Sequence, residues 1–270
     1  MEAFLVFLLV WASHPLLMVN GEDYNARITN GNLAEVGQFP YQAGLNVSFG
    51  NSSSTWCGGT LISHRWIVTA AHCLDGAESV HVYLGATNIS DLTEPGQRHF
   101  IVDQSGIVVH ANWTKSTVTN DISLIKLPRL IAYSPTIGAA ILPRLVNGSY
   151  SLYEQQTAYA SGWGRDSDGS DSVSPVLRYV AMPVMPHVLC RMYWSGAVSD
   201  KMICMSTSSG KSTCHGDSGG PLVYRDGNSS YLIGTTSFGT SMGCEVGFPA
   251  VFTRITSYLE WIREHIPDLP

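Results

Sequence analysis

The sequence is short of several things, and each shortage removes a class of protein. Charged residues make up only 13% of the 270, the formal net charge is −6, and no cluster of Lys or Arg interrupts that balance, which argues against nucleic acid as a partner. The apolar run at the N-terminus, residues 3–12, is ten residues long and broken soon after by His14-Pro15, too short to span a bilayer. None of the six cysteines stands in a C-x-x-C pair, which argues against a zinc site. There is no repeat of fixed period and no low-complexity linker.

What is present reads as a globular chain rich in β-structure and loops, 44% hydrophobic with 26 glycines, long enough for one large domain, or two small ones, with a substantial core. Six cysteines, an even count, suit disulfides made in an oxidising compartment. The run 3–12, followed by a second short apolar run at 16–19, resembles a secretory signal cleaved after Gly21, with Glu2 where a positive residue is usual. Sequons at Asn46, Asn51, Asn88, Asn112, Asn147 and Asn228 mark candidate surface loops of a secreted glycoprotein.

From Ile28 onward short apolar runs alternate with turn residues. Stretches 66–69, 81–84, 100–102, 106–109, 122–127 and 157–160 read as strands, and 222–224 and 231–233 flank Asp226-Gly227 as a hairpin. The exception is the C-terminus, where Ile255, Leu259, Ile262 and Ile266 recur at helical spacing with Arg263 and Glu264 off that face. An antiparallel all-β body with one terminal amphipathic helix is expected.

The stretch Lys211-Ser-Thr-Cys-His-Gly-Asp-Ser-Gly-Gly-Pro-Leu222 places Ser218 between an acid and two glycines. A serine hydroxyl is a weak nucleophile; to react it needs a base for its proton and donors for the oxyanion its attack creates. Of nine histidines, His64, His81, His99, His110, His187 and His265 lie in stretches with no acid or nucleophile motif nearby in sequence. His72 differs: a strand ends in small residues and leads into His72-Cys73. Asp121 opens a strongly apolar strand and is a candidate buried carboxylate, which needs a partner to offset its desolvation; taken alone it reads as a turn residue at the start of a strand.

Together these segments resemble the trypsin/chymotrypsin family of serine endopeptidases. The resemblance rests on Ile28-Thr-Asn-Gly31, Cys57-Gly-Gly-Thr-Leu61, Thr69-Ala-Ala-His-Cys73, Asp121-Ile-Ser-Leu-Ile125, Ser161-Gly-Trp-Gly164, Gly216-Asp-Ser-Gly-Gly-Pro221 and Ser237-Phe-Gly239, in the family's order. It implies an all-β fold of two packed six-stranded antiparallel β-barrels with a C-terminal α-helix. It implies a signal peptide at 1–21, an activation peptide at 22–27 and a peptidase domain at 28–270. It implies Ser218 as nucleophile, His72 as general base and then acid, Asp121 as the residue that orients the imidazole, and the N–H groups of Gly216 and Ser218 as the oxyanion hole; this is the general template for such enzymes. Cleavage after Arg27 would free the amine of Ile28 to pair with Asp217. The implied disulfides are Cys57–Cys73, Cys190–Cys204 and Cys214–Cys244.

The resemblance also speaks to specificity. The residue six before the nucleophile, Ser212, lies at the pocket base in this family and is not an acid, so Lys and Arg side chains would find no counter-charge. Ser237 and Gly239 form a wall that stays open, and Ala250 adds a methyl deep in the pocket. Phe, Tyr, Leu and Met before the scissile bond are the expected substrates. Phe39-Pro-Tyr-Gln-Ala-Gly44, Gly243-Cys-Glu245 and Phe252-Thr-Arg-Ile-Thr-Ser-Tyr-Leu259 look like arthropod brachyurin-type and Jonah-type digestive proteases, some of which cut collagen. Collagenolytic members tend to carry an acid where this chain has Ala250. Where relatives bind calcium this chain has Ala86, leaving Glu94 too isolated for a dedicated site. No cofactor or metal is expected. The expected partners are peptide and protein substrates, proteinaceous inhibitors and an activating trypsin-like protease, with no nucleic acid, no membrane and a monomeric state. The alternatives are a catalytically silent protease-like binding protein, opposed by the intact His72, Asp121 and Ser218, and a collagenolytic or elastase-like protease of broad specificity.

Overall fold

The computed structural model describes residues 28–29, 31–50, 53–146 and 148–269. The expected signal segment 1–21 and activation segment 22–27, with Arg27, lie outside them, as do Asn51 and Asn147. In chain order the first half holds β1 (Asn32–Leu33), β2 (Gln42–Phe49), β3 (Ser53–Leu61), β4 (Trp66–Thr69), α1 (Ala71–Leu74), β5 (Ser79–Leu84), β6 (Arg98–Asp103), β7 (Ile107–Val109) and β8 (Ser123–Lys126). The second half holds β9 (Thr157–Gly162), β10 (Arg178–Met185), α2 (His187–Tyr193), β11 (Met202–Met205), β12 (Pro221–Asp226), β13 (Ser229–Phe238), β14 (Ala250–Arg254) and α3 (Leu259–His265).

The strands form two antiparallel sheets. In the second, β10, β11, β14, β13, β12 and β9 pair in turn and β9 pairs back to β10, closing a six-stranded barrel with β1 added at β10. The first is a curled sheet of order β6-β5-β2-β3-β4-β8-β7 whose hydrogen-bonded ladder does not close. Its two edge strands are consecutive in the chain, joined by the single 3₁₀ turn Gln104–Gly106. In place of the first of the two expected six-stranded barrels there is thus a curled, open seven-stranded sheet, whose two edge strands are linked only by this turn. In that turn the Asp103 carboxylate accepts the Ser105 N–H, capping the bend.

Burial explains why some strands alternate and others do not. β5 reads Ser-Val-His-Val-Tyr-Leu with Val80, Val82 and Leu84 fully buried, the pattern of a strand with one face in the core. The middles of β4 and β8, Ile67-Val68 and Leu124-Ile125, are apolar on both faces because both faces are covered there. Ile67 and its partner Ile125 point into the first sheet's core, while Val68 and its partner Leu124 join a second core lying between the sheets. That second core includes Trp163, Tyr41, Val223 and Leu232, and α3 docks onto it through Leu259 and Ile262. Arg263 and Glu264 face solvent, so the helical spacing at the C-terminus packs as expected. The hairpin at Asp226-Gly227 joins β12 to β13. Three disulfides join Cys57 to Cys73, Cys190 to Cys204 and Cys214 to Cys244, the pairing that the family resemblance implies. Among the described residues no helix is long and apolar enough to cross a membrane.

Candidate active site

The β4–β8 ladder determines how two distant residues meet. Thr69, the last residue of β4, pairs with Ser123, the first of β8. His72 lies three residues past the one and Asp121 two before the other, so both emerge from the same end of the same antiparallel pair. Asp121 is 1% exposed. One carboxylate oxygen accepts the His72 backbone N–H at 2.9 Å, and the other lies 2.8 Å from His72 Nδ1. An ionised carboxylate can only accept, so Nδ1 carries the proton, which leaves Nε2 of the neutral ring as a free acceptor. The same oxygen accepts the Ser237 hydroxyl at 2.6 Å, and the Asp121 carbonyl takes the Thr253 hydroxyl at 2.7 Å. Ser237 and Thr253 belong to the second barrel. The acid is thus held by both sheets at once, and the Cys57–Cys73 disulfide ties α1, which carries His72, to β3.

Ser218 sits on the other side of the seam. Its carbonyl accepts the Gly58 N–H at 2.7 Å and lies 3.6 Å from Cys73 Sγ, one residue from His72. The turn that carries it is pressed against the end of β4. Gly219 has φ +78°, and a Cβ there would run into the Thr69 hydroxyl and the Gly58 carbonyl. A glycine after Ser218 is therefore a steric requirement. Among the described residues the N–H groups of Gly216 and Ser218 have no hydrogen-bond acceptor, so two donors flank the serine unspent.

A cavity of about 340 Å³ opens beside Ser218. Ser212, 5% exposed, lines it with Ser237 and Gly239. His215 lines it too and is exposed at its lip. Ala250 does not line it. The residue packs in the second barrel's core with Phe252, Met205 and Ile28, because strand alternation turns its methyl inward. That corrects the expected contribution of Ala250 to the pocket. In its place Phe238 and Phe248 line the cavity, two aromatic residues held by Trp194 through edge-to-face contacts at 5.1 and 4.9 Å. Neither ring was legible as a pocket residue from spacing.

Asp217 points away from the cavity and is fully buried. It accepts the Gly164 and Cys214 N–H groups at 2.8 and 2.9 Å. Burial pushes its carboxyl up to about 6, against the pull of those two amides. Ile28 is also fully buried, and Thr29 donates its hydroxyl to the Ser212 carbonyl at 3.1 Å. Elsewhere, one oxygen of Glu94 takes the N–H groups of Thr87 and Asn88 and the Gln97 amide, so this carboxylate is occupied by its own loop. His187 departs from its bland sequence reading: it lies on α2, with Nε2 3.0 Å from Asp200 Oδ1. His265 lies on α3 and caps the Trp261 carbonyl through its ring at 2.8 Å.

An imidazole braced by a buried carboxylate, at the seam of a β-barrel and a curled sheet with a serine turn opposite, marks the class of serine endopeptidases. The family follows from comparison. A family model described as Trypsin matches residues 28–262, and the chain belongs to that family. It is 43% identical over 244 residues to serine protease 1 of Drosophila melanogaster, covering 90% of this chain and 87% of that protein. It is 39% identical over 271 residues to a collagenase of Hypoderma lineatum, covering 98% of each, and 39% identical over 236 residues to brachyurin of Leptuca pugilator, covering 87% of this chain and 97% of that one. Among solved structures it is similar to HL collagenase, with a TM-score of 0.79 at 38% identity, covering 89% of this chain and 99% of that one.

Proposed function

We propose that this endopeptidase is secreted as an inactive precursor, activated by cleavage after Arg27, and that it cuts peptide bonds following Phe, Tyr, Leu or Met. Ser218 Oγ attacks the scissile carbonyl while His72 Nε2 takes its proton. The negative charge on the carbonyl oxygen is received by the N–H groups of Gly216 and Ser218. The imidazolium, held by Asp121, then returns the proton to the leaving amine, and water repeats the sequence to release the acyl group. The three disulfides suit an oxidising compartment.

The specificity reading rests on one observation: among the described residues lining the cavity beside Ser218 none is acidic, and two are phenylalanines. A guanidinium or ammonium entering it would lose its water without gaining a counter-charge, whereas an apolar side chain gains from burial. The activation reading rests on Asp217. In the uncleaved chain its charge is buried with two amide donors, and a new ammonium at Ile28 would supply the missing cation. The activating partner would be a protease that cuts after basic residues.

Two experiments test this. Treatment with a trypsin-like protease should generate activity from the parent chain and none from an Arg27→Gln variant; equal activation of both would remove the zymogen reading. The activated protein, offered peptides that differ only before the scissile bond, should turn over Phe or Leu at least about tenfold better than Arg, the order of discrimination expected for an unpaired buried charge. A preference for Arg would overturn the pocket assignment. Collagen in the same assay separates a narrow peptidase from a broad one.

A further inference from the structure

The wall of the substrate cavity is unusually poor in internal support. Between the end of β13 at Phe238 and the start of β14 at Ala250, residues 239–249 make no backbone–backbone hydrogen bond among the described residues. Yet this stretch supplies Gly239, Gly243, Cys244 and Phe248 to the cavity. Among the described residues its covalent and hydrogen-bonded tethers to the rest of the molecule are three: the Cys214–Cys244 disulfide, the Thr207 hydroxyl to the Phe248 carbonyl at 2.7 Å, and Asp168.

Asp168 belongs to none of the machinery above and stands in an exposed loop far from 243–245 in sequence. One of its carboxylate oxygens accepts the Cys244 N–H at 2.6 Å and the other the Glu245 N–H at 3.2 Å. In return the Glu245 carboxylate accepts the Asp168 N–H at 2.9 Å. The two segments therefore close a reciprocal ring. Two successive amides converging on one carboxylate form an anion nest, and hydrogen bonds to a charged acceptor are about twice as strong as neutral ones. Gly243 makes the approach possible: it has φ +128°, and a Cβ there would overlap Asp168 Oδ2. The other end of the same segment is fastened to the nucleophile turn, where Gly164 N–H donates to Asp217 and Arg165 N–H to the His215 carbonyl at 2.7 Å.

We infer that Asp168 is a specificity-determining positioning residue, whose carboxylate fixes the 243–245 wall of the cavity at a set distance from Ser218. The disulfide pins the wall at Cys244 and the Thr207 hydroxyl holds it at Phe248, which leaves residues 239–245 free to turn about Cys244; the nest on the Cys244 and Glu245 amides removes that freedom. The inference rests on the cavity being the site for the residue before the scissile bond.

The experiment uses the activated protein with its Ile28 amine free. Asp168→Ala should raise KM for a peptide with Phe before the scissile bond by about tenfold or more, the worth of hydrogen bonds to a charged group, and change kcat by less than about threefold, because His72, Asp121 and Ser218 are untouched. The same substitution should raise KM far less when Ala replaces Phe in the peptide, since a small side chain does not press on the wall. Asp168→Asn, which keeps an oxygen for one of the two amides, should recover part of the loss. An equal fall for Phe and Ala peptides, or a loss carried by kcat, would overturn the inference. Labelling of Ser218 in the parent protein by an organophosphonate separates the two levels: no label sinks the protease reading, whereas label with an unshifted KM for Asp168→Ala sinks only the role of Asp168.

Discussion

Two carboxylates lie sealed inside this molecule, Asp121 at the cleft and Asp217 behind it, and they are treated in opposite ways. The carboxylate of Asp121 meets three donors drawn from two elements: the backbone and ring of His72 on α1, and the Ser237 hydroxyl on β13. Folding alone completes its environment. Asp217 is more deeply buried and has two backbone amides, with no cation beside it among the described residues. Burial dominates there and pushes its carboxyl up to about 6. The difference teaches that a buried charge can be finished by the fold or left for a later chemical event. Under the activation proposed above, the amine freed at Ile28 would be that event.

The sharpest way to break the comparison is at Asp121. Replacing it with Asn keeps the shape but presents a donor to Nδ1, favouring the wrong tautomer; kcat for a peptide substrate should fall about 10⁴-fold. An activity within tenfold of the parent would show that Asp121 does not orient His72. Next comes Asp217, in an Arg27→Gln chain that cannot be processed. Its folded pKa lies above the unfolded value of 3.8, so the protonated form is favoured by folding. The stability it contributes is complete below about pH 4 and is lost as pH rises through about 6, on the order of 3 kcal/mol in total. Denaturant unfolding from pH 4 to pH 8 should show this decline in the uncleavable chain, and Asp217→Asn should flatten it. An identical decline in both would mean that other groups cause it. The smallest effect is expected at Ser237. Ser237→Ala removes one of three donors to the completed carboxylate and should lower stability by about 1.5–3 kcal/mol, measured by the same method at neutral pH. A change below about 0.5 kcal/mol would mean that the other two donors suffice.

Much of the fold was legible where burial is one-sided or complete. β5 alternates because one face is wet; Ile67-Val68 of β4 and Leu124-Ile125 of β8 form unbroken apolar pairs because they lie between two cores; α3 shows its inward stripe at Leu259 and Ile262. α2 was not legible, for a physical reason. Its apolar residues Val188, Leu189, Met192 and Tyr193 are 46–72% exposed, and only Cys190 is buried, so no inward stripe announces a helix. The Cys190–Cys204 disulfide fastens it to β11 instead. In the site, the histidine and the serine turn stood out because each lies in a short segment of unusual composition, whereas Asp121 became a candidate only in combination with them. Phe238, Phe248 and Asp168 did not, because their roles come from loops that meet only after both sheets have formed. Ala250 was misplaced for a related reason: which way a side chain points in β14 depends on register.

The sequence by itself determined which chemical groups are available, the family to which the chain belongs, and the absence of an acid six residues before Ser218. These are properties of single short segments, readable in one dimension. Tertiary structure alone decided that Ser237 completes the carboxylate of Asp121, that two phenylalanines line the cavity in place of Ala250, and that a carboxylate at Asp168 holds the opposite wall. The two hydrogen-bonded cases need segments 116 and 76 residues apart to arrive within reach, and the phenylalanines need the end of one strand and a separate loop to meet beside Ser218, placements that register and sheet curvature set and no local pattern encodes.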